Sequence, residues 1–157
     1  MLRRLGLRDF VIVAELDLDL NDGFSVLTGE TGAGKSILID ALQFALGARA
    51  DAGTVREGAS RAEISAEFEP LPPGLQAWLD EAGFSADAPL LVRRQLDSQG
   101  RSRAWINGSP ATVTQLRTLG DWLLDIHGQH AWQSLMRPQS VRELLDAYAG
   151  LDLRPLQ

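Results

Sequence analysis

The chain has no cysteine, one lysine, two histidines and one tyrosine among 157 residues, and each scarcity narrows its chemistry. Without cysteine there is no disulfide framework, no thiolate zinc site and no thiol nucleophile, a pattern that fits a reducing compartment. No run approaches the roughly 18 consecutive apolar residues that a membrane span needs, and Met1 to Leu20 carries charges throughout instead of an apolar leader segment. The expectation is a cytoplasmic protein with no membrane partner. Positive charge is also short: a formal net charge of −6 and a pI near 4.8 exclude a surface that is basic all over, while leaving room for a local basic patch.

What is present begins with enough apolar residues, 45% of the chain, to bury one sizeable core. The lone lysine, Lys35, stands inside Gly29-Glu30-Thr31-Gly32-Ala33-Gly34-Lys35-Ser36, which satisfies G-x-x-x-x-G-K-[ST] in full. The glycines let phosphate oxygens approach main-chain N–H groups, and a following helix adds its partial positive N-terminus. Lys35 would reach the β- and γ-phosphates, and the Ser36 hydroxyl would ligate Mg²⁺. The expected ligands are therefore ATP and Mg²⁺.

The pattern around this loop supplies the context the motif requires. Alternation predicts strands at Leu2 to Leu7 and Val11 to Leu20, and Asn21-Asp22-Gly23 turns the chain into a third strand at Phe24 to Thr28. Ser36 to Leu46 is apolar on nearly all sides, which predicts a buried helix ended by Gly47 at the C′ position. Further strands are expected at Ile64 to Phe68, Leu90 to Leu96 and Ser102 to Ile106, with turns at Gln99-Gly100 and Asn107-Gly108. A short helix is expected at Leu75 to Ala82. Another starts at Thr112, which has capping-box spacing to Gln115 and an inner stripe of Val113, Leu116, Leu119 and Leu123. Leu123 to Ile126 reads as a buried strand, His127 to Gln133 as a polar loop, and Gln139 to Ala149 as an amphipathic helix.

Several strings carry a family resemblance. Thr28 to Ile37, Asp40-Ala41-Leu42, Gly47 to Ala50, Val55-Arg56-Glu57-Gly58, Ser102 to Gly108, Asp125-Ile126-His127-Gly128-Gln129-His130 and Gln133-Ser134-Leu135 together resemble the bacterial RecN family of DNA repair proteins. The resemblance covers nearly the whole chain, and the block Asp125 to His130 is its most specific part. One departure is that Ala131 and Trp132 stand where the family tends to carry an acidic residue and a histidine. RecN resembles the SMC proteins, whose ATPase head is assembled from both chain ends.

The resemblance implies an α/β fold, a P-loop NTPase of the ABC/SMC-head type. The chain would be its N-terminal lobe, a mixed sheet with an antiparallel portion around a buried P-loop helix, incomplete without its C-terminal half. It implies a lobe over residues 1–138 and, over 139–157, an amphipathic helix starting the connection toward a coiled coil. It makes Gln129 the Q-loop glutamine, a Mg²⁺ ligand or water-positioning group, and names as partners the C-terminal head segment, a second head in a homodimer, and DNA. The missing parts agree with this division: there is no Leu-Ser-Gly-Gly segment, and the nearest approach to an acidic strand, Trp122 to Asp125, runs into His127 and Gly128 where a base should follow.

Two other readings of the same loop stay open, a small self-contained P-loop kinase and a nucleotide-binding interaction module without hydrolysis. The two expected strands before the loop favour the head over the kinase. Arg56 is compatible with a place near nucleotide or DNA and with a solvated surface. Arg93, Arg94, Arg101 and Arg103, with Arg3, Arg4 and Arg8, are candidate phosphate contacts and equally a solvated face. His127 and His130 lack the cysteines or carboxylates of a metal set.

Overall fold

Alternating residues build the sheet from which everything else hangs. In this computed structural model, which describes residues 1–23, 25–26, 35–49 and 51–124 with the side chains of Lys35 and Pro73 aside, β1 (Leu2–Phe10) pairs with β2 (Val13–Asp19). The other elements are α1 (Lys35–Ala45), β3 (Arg61–Phe68), α2 (Pro73–Glu81), β4 (Leu90–Asp97), β5 (Ser102–Ile106), β6 (Ser109–Ala111) and α3 (Val113–Leu123). The six strands form one sheet in the order β2-β1-β3-β4-β5-β6, and every pairing among them is antiparallel. The chain divides into two compact units, Met1–Leu123 and Leu124–Gln157, and of the second only Leu124 lies among the described residues.

One face of the sheet is dry. Leu5 and Leu7 of β1, Ile64, Ala66 and Phe68 of β3, Leu90, Val92 and Leu96 of β4 and Ile106 of β5 are all at most 2% exposed. Against this face α1 packs on β1, β3 and β4, burying Ala41, Phe44 and Ala45. The expectation of a helix buried all round is corrected here: Ile37 and Leu38 are half-buried and Ile39 is 46% exposed. A single sheet covers a single stripe of a helix, and among the described residues nothing covers the others.

Turn chemistry sets the connections. Asn107 and Gly108 both take positive φ, 45° and 81°, which gives the two-residue hairpin between β5 and β6 the twist that suits its strands. At the β4–β5 turn the Asp97 carboxylate accepts the N–H groups of Gln99 and Arg101, each at 2.9 Å. The expected capping box is complete: the Gln115 N–H donates to Thr112 Oγ1 at 3.2 Å, and the Thr112 N–H donates to Gln115 Oε1 at 2.8 Å.

Other boundaries move. Val11 and Ile12 form the turn between β1 and β2 instead of opening the second strand. Leu123 ends α3 instead of starting a strand, because Leu116, Leu119 and Leu123 keep helical spacing to the end. Of the third strand expected at Phe24 to Thr28, Ser25 and Val26 are described and lie in irregular backbone. The strand expected at Asp125 and Ile126, the loop His127 to Gln133 and the helix Gln139 to Ala149 lie outside the described residues.

Helix α1 ends as its glycine suggests. The Gly47 N–H donates to Phe44 O at 3.1 Å and the Ala48 N–H to Gln43 O at 2.9 Å, the paired bonds of a Schellman cap, with Gly47 at φ 95°. A Cβ at Gly47 would lie 2.7 Å from Arg117 Cγ and 2.9 Å from Val113 O, so glycine also lets α3 approach this helix end. Gly47→Ala should therefore destabilise the protein by about 1–3 kcal/mol from the strained backbone alone, and by more if α3 is displaced. Urea denaturation checks this; an unchanged midpoint would show that the close approach carries no stability.

Candidate nucleotide-binding site

Lys35 is the first residue of α1 and Ser36 the second, so both residues expected to handle phosphate and metal open a helix. Ser36 is exposed. Gly29, Glu30, Thr31, Gly32, Ala33 and Gly34 of the loop, and Gln129, lie outside the described residues, as do His127, His130, Ala131 and Trp132. What the structure details is how the helix behind the loop is held.

Its far end is gripped by two arginines. Arg94 points from β4 into the core, where it is 4% exposed. Its Nη1 donates to Phe44 O and, at 2.7 Å, to Ala48 O, while Nε donates to Ser102 Oγ at 3.0 Å. The guanidinium carbon lies 4.1 Å from the centre of the Phe44 ring, which itself stands 6.1 Å from the ring of Phe10. From α3, Arg117 Nε donates to Gly47 O at 3.0 Å. Two cations thus meet the carbonyls at the negative end of the helix dipole. Burial, with a smaller contribution from Arg117, pushes the Arg94 pKa down to about 10, which leaves it charged at neutral pH. Taking a guanidinium out of water costs several kcal/mol, offset here by carbonyl and hydroxyl acceptors and the aromatic face.

Beside α1 a cavity of about 450 Å³ is floored by Phe10 and Phe44 and rimmed by Asp40, Gln43, Arg49, Asp51 and Thr54. Its wall is the β1–β2 turn, where Asp9 and Val11 hold positive φ, 49° and 54°. For a β-branched residue such as Val11 this conformation is strained and needs external support. That support comes from the segment after α1: the Val11 N–H donates to Thr54 O at 2.7 Å, the Arg56 N–H to Asp9 O at 2.9 Å, and Arg56 Nε to Asp9 Oδ1 at 2.8 Å. Arg56, left open between a ligand-facing and a solvated role, here pins the turn.

The outer face of the sheet gathers the other arginines but not as a basic patch. A trough of about 580 Å³ is lined by Arg4, Arg8, Arg61 and Arg93 and equally by Asp9, Asp17, Glu63 and Glu67. Arg4 pairs with Asp17 at 3.3 Å, Arg8 with Glu15 at 2.9 Å, Arg93 with Glu63 at 3.0 Å, Arg101 with Asp97 at 2.7 Å and Arg3 with Asp22 at 2.9 Å. Arg93 also lies over Trp105, 5.0 Å from the ring centre. The grouping of Arg94 with Arg93 is corrected: neighbours on a strand face opposite ways, so one is on this wet face and the other in the core.

Alternation of Leu90, Val92, Arg94 and Leu96 contains the signal that would have separated them. Arg117 and Asp9 carry no comparable sign, because their partners are remote in the chain.

The fold defines a class, that of SMC-type head domains, and the sequence adds the phosphate-loop motif. The family model described as AAA domain matches residues 4–119, and the chain belongs to that family. The RecN resemblance holds as well: the chain is 47% identical, over 96% of its length, to the DNA repair protein RecN of Vibrio cholerae. It spans about a quarter (27%) of that relative's length. Among solved structures, the Smc head domain with an extended coiled coil from Pyrococcus furiosus superposes with a TM-score of 0.69 at 24% identity, covering 95% of this chain and 42% of that one. A structure described under ATP-driven dimerization and DNA-stimulated activation of SMC ATPases gives 0.66 at 24% identity, covering 92% and 97%. These likenesses carry the fold.

Two carboxylates tie the sheet to pH. Burial works against ionisation of Glu63, but hydrogen bonds from Gln95 and Arg93 outweigh it and hold its pKa below the ordinary value. The Arg101 backbone N–H, the Arg101 side chain and the Gln99 N–H do the same for Asp97. A carboxylate with a depressed folded pKa contributes stability above its unfolded pKa and loses it as pH falls through the folded value. Thermal stability should therefore decline as pH falls below about 4. The decline contributed by Glu63 should shrink in Glu63→Gln, as melting curves across pH 2.5 to 7 would reveal.

Proposed function

We propose that this chain is the ATP-binding N-terminal part of an SMC-like ATPase head that acts in the recombinational repair of DNA double-strand breaks. The observation that carries the reading is a complete phosphate-loop sequence running into α1, with Lys35 and Ser36 at the helix start, in a chain of the AAA-domain family similar to RecN. The backbone of Gly29 to Gly34 and the N-terminus of α1 bind the triphosphate, and Lys35 neutralises its β- and γ-phosphates.

The donor set fits Mg²⁺, which prefers oxygen ligands and retains waters: Ser36 offers an exposed hydroxyl in the first turn of the helix, and Gln129 would add an amide oxygen. When bound, the ion neutralises charge developing on the phosphates. Hydrolysis calls on a C-terminal head segment for the signature sequence and the acidic strand. ATP held between two such heads would engage them as a reversible clamp, in the cytoplasm and on DNA. Residues 1–138 form the lobe in this scheme, and 139–157 lead toward the coiled coil.

On the outer sheet face, DNA phosphates would have to displace the carboxylate partners that Arg4, Arg8 and Arg93 already hold. The DNA contact is therefore not assigned to that face.

Lys35→Ala should weaken ATP binding at least about tenfold, roughly 1.4 kcal/mol, in a titration with a fluorescent ATP analogue. Ser36→Ala should mainly remove the gain in affinity that Mg²⁺ brings. Equal binding by wild type and Lys35→Ala would sink the reading.

A further inference from the structure

We propose that Arg94 is a positioning residue for nucleotide binding: by locking the C-terminal end of α1 to β4, it sets where the phosphate-binding N-terminal end points. The inference rests on the reading of Gly29 to Ser36 as an ATP site and goes beyond it by naming a residue remote from the loop that governs affinity.

The geometry is that of an anchored lever. Helix α1 has 11 residues, a length of about 16 Å, with Lys35 at one end and the guanidinium contacts at the other. A tilt of about 4° about the anchored end carries the first turn about 1 Å, a displacement large enough to degrade an aligned set of phosphate contacts. Only part of the helix circumference is fixed by packing, since Ile37 and Leu38 are half-buried and Ile39 is exposed. Directional bonds at the anchored end therefore have work to do that apolar contact does not.

Arg94 supplies direction in three ways at once. Its three bonds go to Phe44 O inside the helix end, Ala48 O beyond the Gly47 turn and Ser102 Oγ on β5, and its guanidinium carbon stands 4.1 Å from the centre of the Phe44 ring. Such a set fixes rotation and tilt together, which a greasy side chain of the same size would leave to shape alone. Arg117 closes the same end from α3 through Gly47 O. Arginine suits the role better than lysine because its planar fork meets several acceptors in fixed directions, whereas an ammonium is a point charge.

The experiment compares Arg94→Lys, Arg94→Met and Leu79→Ala in the full chain, measuring both melting temperature and affinity for a fluorescent ATP analogue with Mg²⁺ well below the melting transition. Leu79 is fully buried on α2 and serves as a control for general destabilisation. Arg94→Met should bind about tenfold or more weakly and Arg94→Lys to an intermediate degree, while Leu79→Ala loses melting temperature but keeps wild-type affinity. If Arg94→Met does not fold, Arg94→Lys decides, with weakened binding supporting the proposal and wild-type affinity overturning it. Unchanged affinity in Arg94→Met, or an equal loss in Leu79→Ala, overturns the positioning role while leaving the ATP site standing. A wild-type chain that binds no ATP overturns the nucleotide-binding reading and this inference with it.

Discussion

The carbonyls at the C-terminal end of α1 need partners, and two arginines provide them, Arg94 from the interior beneath the sheet and Arg117 from an exposed position on α3. The Schellman bonds already serve Gln43 O and Phe44 O, and the arginines add a second bond to Phe44 O and partners for Gly47 O and Ala48 O, carbonyls that would each cost about a lost hydrogen bond if buried without one. Meeting that need ties β4, β5, α1 and α3 into one unit, because Arg94 bonds α1 and Ser102 while Arg117 reaches across from α3. Glycine is required at position 47 for the same reason: the turn needs positive φ, and α3 could not come close past a Cβ.

A second constraint operates at the other side of the helix. The β1–β2 turn is strained at Val11 and is held by backbone bonds from the segment that follows α1, reinforced by the Arg56–Asp9 pair. That pair is only partly buried, so its ionic part is worth little, and the backbone bonds carry most of the restraint. The consequence is a fixed wall for the cavity floored by Phe10 and Phe44. The two aromatic rings connect this wall to the Arg94 anchor, so turn, helix end and sheet share one apolar contact chain.

The charged surface shows why composition misleads about partners. Seven arginines cluster in sequence on β1 and the β4–β5 hairpin, yet antiparallel pairing sets Arg93 beside Glu63 and Arg4 beside Asp17. A row of arginines in the sequence becomes a balanced face once neighbouring strands bring their acids alongside. One of the seven, Arg94, leaves the surface altogether because strand alternation turns it inward.

Local pattern was enough to locate most of the described elements, since alternation, glycine turns, the Schellman glycine and the Thr112–Gln115 capping box all act over a few residues. The strand boundary at Val11 was not legible, because a β-branched residue at positive φ is held there by Thr54, with Arg56 fixing Asp9 beside it, both more than forty residues away in the chain. Nor was the half-exposure of α1, which depends on how much of its circumference one sheet can cover. By itself the sequence determined the phosphate-loop motif that holds Lys35 and Ser36, and the family, because such motifs are written in consecutive residues. Only the tertiary structure decided that Arg94 and Arg117 belong to the helix anchor, for their acceptors are backbone carbonyls that no side-chain pattern announces.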